Sequence, residues 1–112
     1  MKQPDRIELP QALNELRESG KEFISLFENP LLSVELYQPH LIDQQQPHDR
    51  DECYIIAKGE ANFFFVDKVS RVKAGDFLYV PANAKHRFLD FSKDFAVWVF
   101  FIGPVADLDP GK

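Results

Sequence analysis

The sequence feature that most constrains the fold is a series of short apolar runs separated by turn-forming residues. Eight runs rich in β-branched and aromatic residues occupy positions 23–27, 31–37, 53–57, 61–66, 69–72, 77–80, 87–91 and 95–102. Runs of this length and composition are typical of β-strands. No helical pattern of the kind that joins parallel strands lies between them. The sequence therefore predicts an all-β domain, a sandwich or small barrel of about eight strands.

The N-terminal part of the chain follows a different pattern. Leu9, Leu13 and Leu16 recur at helical spacing, and Gly20 follows as a residue that could end a helix. The whole chain has 112 residues, which is room for one domain. We therefore predict an N-terminal extension with a short helix over residues 1–22, a barrel over 23–104 and a C-terminal tail over 105–112.

Two of the predicted strands differ in their patterning. The run 31–37 alternates apolar and polar residues in its second half, which predicts a half-exposed strand. The run 95–102 is apolar on both faces, so it is either a central strand or a strand covered by a second subunit. Together with the separate N-terminal segment, this pattern predicts a homodimer.

The charge of the chain favours small or cationic ligands over nucleic acid. The net charge is −5, which argues against a surface that binds phosphates. Locally, the carboxylates of Asp43, Asp49, Asp51 and Glu52 outweigh the nearby Arg50, and this would favour a bound cation.

The cysteine content and the apolar segments bear on the compartment. Cys53 is the only cysteine, so an internal disulfide is impossible and a reducing compartment is expected. The first ten residues lack the apolar run of a secretory signal, and the stretch 95–103 is too short to span a bilayer. The sequence therefore predicts a cytoplasmic protein that has no membrane partner.

The residues that could carry chemistry lie around the start of the third predicted strand. In an extended segment Gln46, His48, Glu52 and Tyr54 would share one face, although the polar residues between them could form a turn. Imidazole and carboxylate together suit Fe(II), Mn(II), Ni(II) or Zn(II). A third ligand must come from His40 or His86, and His86 is favoured because it begins a neighbouring strand. Taken singly, His48 is typical of a half-exposed polar residue at a strand end, and Asp49 to Glu52 are typical of a solvated acidic turn.

Two motifs together resemble those of the cupin family in its small single-domain form. The first is Gln46-x-His48-x-x-x-Glu52 with Gly59 after it, and the second runs from Gly75 through Pro81 to His86 and Phe88. The resemblance covers roughly residues 31–103 and implies a double-stranded β-helix, or jelly-roll barrel, with a short N-terminal helix before it.

Carried over residue by residue, the resemblance implies that His48, Glu52 and His86 are metal ligands. Gln46 stands where many cupins have the first histidine of the pair, and its carbonyl could coordinate more weakly. Asn83 and Asp90 also depart from the second motif, which often has glycine and asparagine at these positions.

These observations leave three functions open. The leading interpretation is an enzyme that uses one divalent transition metal (Fe, Mn, Ni or Zn) on a small organic molecule, as an oxygenase such as a dioxygenase, an isomerase or a decarboxylase. In it, Tyr54 would donate a hydrogen bond or proton, and phenylalanines such as Phe63 and Phe88 would line the pocket. The alternatives are a non-catalytic binding or sensing barrel, and a metal-free pocket with His48 and His86 as acid and base toward a sugar.

Overall fold

The computed structural model describes residues 4–43 and 47–104, so Gln46 and the predicted tail lie outside the described residues. The predicted N-terminal helix is confirmed as α1, Leu9–Ser19. Pro10 stands in its first turn, where a missing N–H costs nothing, and Gly20 ends it at φ 72°. No helix in these two described ranges is both long and apolar enough to cross a membrane.

Eight strands follow the helix within the described ranges. They are β1 Phe23–Asn29, β2 Leu32–Tyr37, β3 Asp51–Lys58, β4 Glu60–Phe65, β5 Lys68–Lys73, β6 Phe77–Val80, β7 His86–Leu89 and β8 Ala96–Ile102. They form a five-stranded sheet in the order β1-β2-β8-β3-β6 and a three-stranded sheet in the order β5-β4-β7. All pairings are antiparallel, which confirms the all-β prediction.

The two sheets enclose the main core and are not joined into one closed barrel by strand pairing among the described residues. Buried side chains from both sheets form one cluster, which includes Tyr54 and Val97 from the larger sheet and Phe63 and Phe88 from the smaller. The arrangement is consistent with a jelly roll. Phe63 and Phe88 are packed within this core rather than forming the wall of an open pocket.

Strand β8 occupies the centre of the five-stranded sheet, which explains why it is apolar on both faces. Val97 and Val99 point into the core between the sheets. On the opposite face Trp98 joins a second cluster, in which Leu36 of β2 packs against Leu16 of α1. The central-strand alternative is therefore confirmed, and the helix covers part of the outer face.

The prediction that β2 is a strand with one face exposed to solvent was wrong. Leu36 is buried against α1 and Val34 is buried on the same face of the strand, while Ser33 and Tyr37 are buried on the face toward the interior. The polar members of the alternating pattern therefore line the inside of the fold instead of meeting solvent. Strand alternation distinguishes two faces but does not say which face is covered.

The turn at Gly59 brings β3 and β4 close to the segment before β8. Gly59 has φ 77°, and a Cβ at this position would collide with the side chains of Ser92 and Asp94 and the backbone of Phe95. Glycine is required here both for its backbone conformation and for this close approach.

Candidate metal centre

His48 lies in the segment before β3 and is held there through its backbone. Its carbonyl oxygen accepts a hydrogen bond from the backbone N–H of Asn83, at 2.6 Å. The imidazole packs edge-on against Phe101 of β8, with ring centroids 4.7 Å apart. Its side chain is 34% exposed, so His48 forms the solvent-facing side of the centre.

Glu52 lies inside the five-stranded sheet, near the end where the segment carrying His48 enters. It is the second residue of β3 and pairs with Val80 on β6 and Phe101 on β8. Because side chains alternate along the strand, Glu52 shares the interior face with Tyr54. Its side chain is 1% exposed, although a carboxylate is rarely buried without a partner.

His86 reaches the centre from the other sheet. It is the first residue of β7 and pairs with Phe65 of β4. Its Nδ1 lies 2.9 Å from the carbonyl oxygen of Ala84. Since a carbonyl can only accept a hydrogen bond, Nδ1 carries a proton and Nε2 is the atom turned toward Glu52, at 3.3 Å from Oε1.

The three side chains converge with their ligand atoms directed at one another. His48, Glu52 and His86 each offer a ligand atom, and these atoms lie within 4.8 Å of one another. Four buried atoms, Nε2 of both histidines and both carboxylate oxygens of Glu52, have no hydrogen-bond partner in the described part of the chain. Buried polar atoms normally have partners, and two imidazoles with a carboxylate suit a divalent transition metal. The residues therefore fit a bound metal ion.

The pKa of His86 depends on its burial and on the polar groups beside it. Burial lowers the pKa of His86, but the Glu52 carboxylate and the Ala84 carbonyl act in the opposite direction and prevail. The net result is a pKa raised above the ordinary value of 6.5. The negative charge of Glu52 thus favours a cation at this position.

The turn before β7 is joined to the segment that carries His48. The side chain of Asp51 accepts a hydrogen bond from the backbone N–H of Ala82 at 2.9 Å, beside the contact between Asn83 and His48. Asn83 has φ 69°, and Asp90 after β7 has φ 49°. Both conformations favour glycine, asparagine or aspartate, which explains why the departures from the second motif are tolerated.

The other predicted site residues fall in different places. Tyr54 is fully buried with its ring centroid 5.9 Å from that of His86, and its role as a proton donor stays a prediction. Gln46, the predicted fourth ligand, lies outside the described residues. His40 is exposed and borders a separate surface depression with Lys58 and Asp94.

A cavity of about 440 Å³ lies beside the centre and contains an acidic residue that the sequence analysis did not select. It is lined by His48 and Phe101 on the side of the centre, and by Glu35 and Tyr37 of β2. Burial raises the pKa of Glu35 to about 7, with the charges of Glu52 and Glu28 adding to the effect and Arg50 opposing it. Sequence reasoning missed Glu35 because the polar face of β2 was assigned to solvent.

The chain is similar in sequence to a known protein family and to an uncharacterized protein. A family model described as a cupin domain matches residues 33–102. An uncharacterized protein of Streptomyces coelicolor is 30% identical over 102 residues, which cover 89% of this chain and 92% of that protein.

Solved structures show the same fold at lower identity. A cupin with a double-stranded β-helix fold from Methanocaldococcus jannaschii is 20% identical, with a TM-score of 0.66 over 77% of this chain and 83% of that one. KdgF from a Halomonas species is 17% identical, with a TM-score of 0.65 over 78% and 82%. The DMSP lyase DddQ of Ruegeria pomeroyi is 23% identical, with a TM-score of 0.65 over 72% of this chain. The match spans only 46% of the lyase.

Proposed function

The chain belongs to the cupin family, as its two motifs predict, and from this premise we propose that it is a metal-dependent enzyme acting on a small organic molecule. The proposed ligands of the metal are His48, Glu52 and His86. The observation that carries the proposal is the set of four buried ligand atoms that lack hydrogen-bond partners among the described residues. Such a set is costly in a folded protein unless a cation completes it.

Two imidazoles and one carboxylate are ligands that suit Fe, Mn, Ni or Zn, so we propose one of these four metals. His48, Glu52 and His86 would hold the metal with positions left open, and the metal would supply polarisation of a substrate oxygen or redox chemistry there. The protein contributes the orientation of its ligands. The Ala84 carbonyl fixes the tautomer of His86, and Phe101 holds the ring of His48. Glu52 supplies one negative charge between the two imidazoles.

Two further residues belong to the proposal. Gln46 is proposed as a weak fourth ligand through its side-chain carbonyl. Tyr54 is proposed as a donor of a hydrogen bond or proton, because it follows Glu52 on the interior face of β3 and its ring lies beside His86.

The first experiment is metal analysis of the untagged protein by mass spectrometry, with three histidine variants. We expect about one transition-metal ion per chain in the wild type, and loss of that metal in His48→Ala and His86→Ala. His40→Ala is the matched control, because His40 is an exposed imidazole outside the centre, and it should keep the metal. Equal metal content in all four proteins, or none after anaerobic loading with Fe(II), Mn(II), Ni(II) or Zn(II), would refute the metal site.

The metal found then directs the search for activity. Consumption of O₂ with substrate would identify an oxygenase, and a changed product without O₂ uptake would identify an isomerase or decarboxylase. A ligand that binds and stays unchanged on prolonged incubation with the metal-loaded protein would instead identify a non-catalytic binding barrel.

Assembly as a homodimer is part of the proposal. Phe77 and Tyr79 of β6 and Ile102 of β8 are exposed apolar residues on the five-stranded sheet. A second copy would remove this surface from water. Light scattering during size-exclusion chromatography should give twice the chain mass, and a monomer at micromolar concentration would contradict the dimer. The division into an extension 1–22, a barrel 23–104 and a tail 105–112 also stays a proposal, which limited proteolysis would test.

A further inference from the structure

We propose that the cavity beside His48 is a ligand subsite in which Glu35 selects a hydroxyl or ammonium group over a carboxylate. The inference rests on the proposed function for its link to a metal-bound substrate, whereas the preference of Glu35 for its ligand can be tested without metal. The cavity has the volume of an ordinary small-molecule site.

The cavity and the metal centre are adjacent and have one residue in common. His48 is a member of the centre and also lines the cavity, and Phe101 lines the cavity while packing against the His48 ring. A molecule in the cavity therefore lies against the half-exposed side of the centre. One end of such a molecule would meet Glu35, and the other would meet His48.

Arg50, the cation among the lining residues, is largely engaged by the protein. Its Nε donates to the carbonyl oxygen of Gly103, Nη1 to the hydroxyl of Ser33 and Nη2 to the carbonyl oxygen of Phe101. Three donors of the guanidinium are thus used to hold the segment before β3 against β2 and β8. A guanidinium held this way is poorly placed to give a ligand carboxylate the paired hydrogen bonds that arginine usually provides.

Glu35 is the lining group best suited to contact a ligand. It lies on the interior face of β2, beside Val99 of β8 in the strand pairing, and its carboxylate makes no hydrogen bond to any residue of the described ranges. The lining carboxylates of Glu28, Glu35 and Asp49 outnumber the guanidinium of Arg50. This excess of negative charge repels a ligand carboxylate. It favours a group that donates hydrogen bonds, and an ammonium most of all.

The test uses three probes that share a three-carbon chain and one hydroxyl: 3-amino-1-propanol, 1,3-propanediol and 3-hydroxypropanoate. Each is titrated at pH 8 into ¹⁵N-labelled full-length protein, both as purified and after treatment with chelator, and amide shifts of β2 and β8 are followed. In the chelated protein we expect the amine to bind most tightly and the acid most weakly. Glu35→Gln should weaken binding of the amine about tenfold and of the diol by less.

Three further variants make the result decisive. Glu15→Gln removes the same charge from the exposed face of α1 and should leave all three affinities unchanged. Glu35→Asp keeps the charge and should restore part of the preference for the amine, which a merely structural role would not produce. Glu35→Ala repeats the loss of preference in a second variant, so that the inference stays testable if the glutamine variant fails to fold.

The outcomes separate this inference from the metal proposal. A protein that holds metal but binds the amine equally well with and without the Glu35 carboxylate overturns the inference alone. A protein that holds no metal but shows the Glu35-dependent preference supports the inference, while the metal proposal falls. Absence of any shift in β2 with all three probes also overturns the inference.

Discussion

Replacing Glu35 with glutamine should stabilise the metal-free protein at alkaline pH and leave its stability nearly unchanged at acidic pH. The folded protein raises the pKa of Glu35 from 4.5 to about 7, chiefly by burial, with the carboxylates of Glu52 and Glu28 adding to it and Arg50 opposing. The protonated form is therefore favoured in the folded state. The stability that this proton contributes is fully present below pH 4.5 and is lost as the pH rises through 7.

The size of the effect follows from the two pKa values. One pKa unit corresponds to about 1.4 kcal/mol, so the interval from 4.5 to about 7 would correspond to about 3 kcal/mol for a fully desolvated carboxyl. Glu35 is only partly buried and lines a cavity, so solvent screening reduces the effect to about 1–2 kcal/mol. Glutamine resembles the protonated acid and carries no charge at any pH. The free energy of unfolding of Glu35→Gln should therefore exceed that of the wild type by about 1–2 kcal/mol at pH 8 and by about zero at pH 4.

Urea unfolding of both proteins from pH 4 to pH 8, in excess chelator, measures this difference directly. Glu15→Gln is the control for the loss of one charge, because Glu15 is exposed on α1. A difference that stays flat between pH 4 and pH 8 would refute the reasoning, since it would mean that water in the cavity solvates the ionised carboxylate. A difference that grows below pH 5 would contradict its sign.

Three further substitutions test how the fold supports the centre. Asp43→Ala should destabilise the protein by about 2–6 kcal/mol in urea unfolding, because it removes the carboxylate that accepts two buried hydrogen bonds, one from the Tyr37 hydroxyl and one from a backbone N–H of β7. Gly59→Ala should lower the thermal midpoint more than Gly20→Ala does, because both glycines have positive φ but only Gly59 meets neighbouring atoms. Asp51→Ala should weaken metal affinity about tenfold in a chelator competition, because it releases the turn before β7.

The strands could be predicted because apolar runs and turn residues mark them directly, and the predicted bounds differ from the observed ones by at most two residues. The third run was predicted to begin at Cys53, but β3 begins at Asp51 and includes Glu52. The seventh run was predicted over 87–91 with His86 at its start, and β7 spans His86–Leu89. A buried polar residue at a strand end, such as Glu52, looks in sequence like part of the preceding turn.

The convergence of His48, Glu52 and His86 could be predicted, because the two motifs carry their spacing. The cavity beside the centre could not be predicted from the sequence. Glu35 lies in a strand whose alternation is clear, but the covered face depends on packing between the sheets and on α1, which alternation does not encode. The hydrogen bonds of Arg50 to Gly103 and Phe101 join residues more than fifty positions apart, and no local pattern anticipates them.

The centre and the cavity should influence each other through charge, because Glu52 belongs to one and raises the pKa of Glu35 in the other. A divalent cation beside Glu52 would replace a repulsive charge with an attractive one, and so would favour ionised Glu35. Linkage is reciprocal, so ionised Glu35 should in turn tighten metal binding. At pH 8 we therefore expect Glu35→Gln to bind Zn(II) about fivefold more weakly than the wild type in a chelator competition. At pH 5.5, where wild-type Glu35 is largely protonated in the metal-free protein, the two should differ less. Equal affinities at both pH values would show that the cavity and the centre act independently.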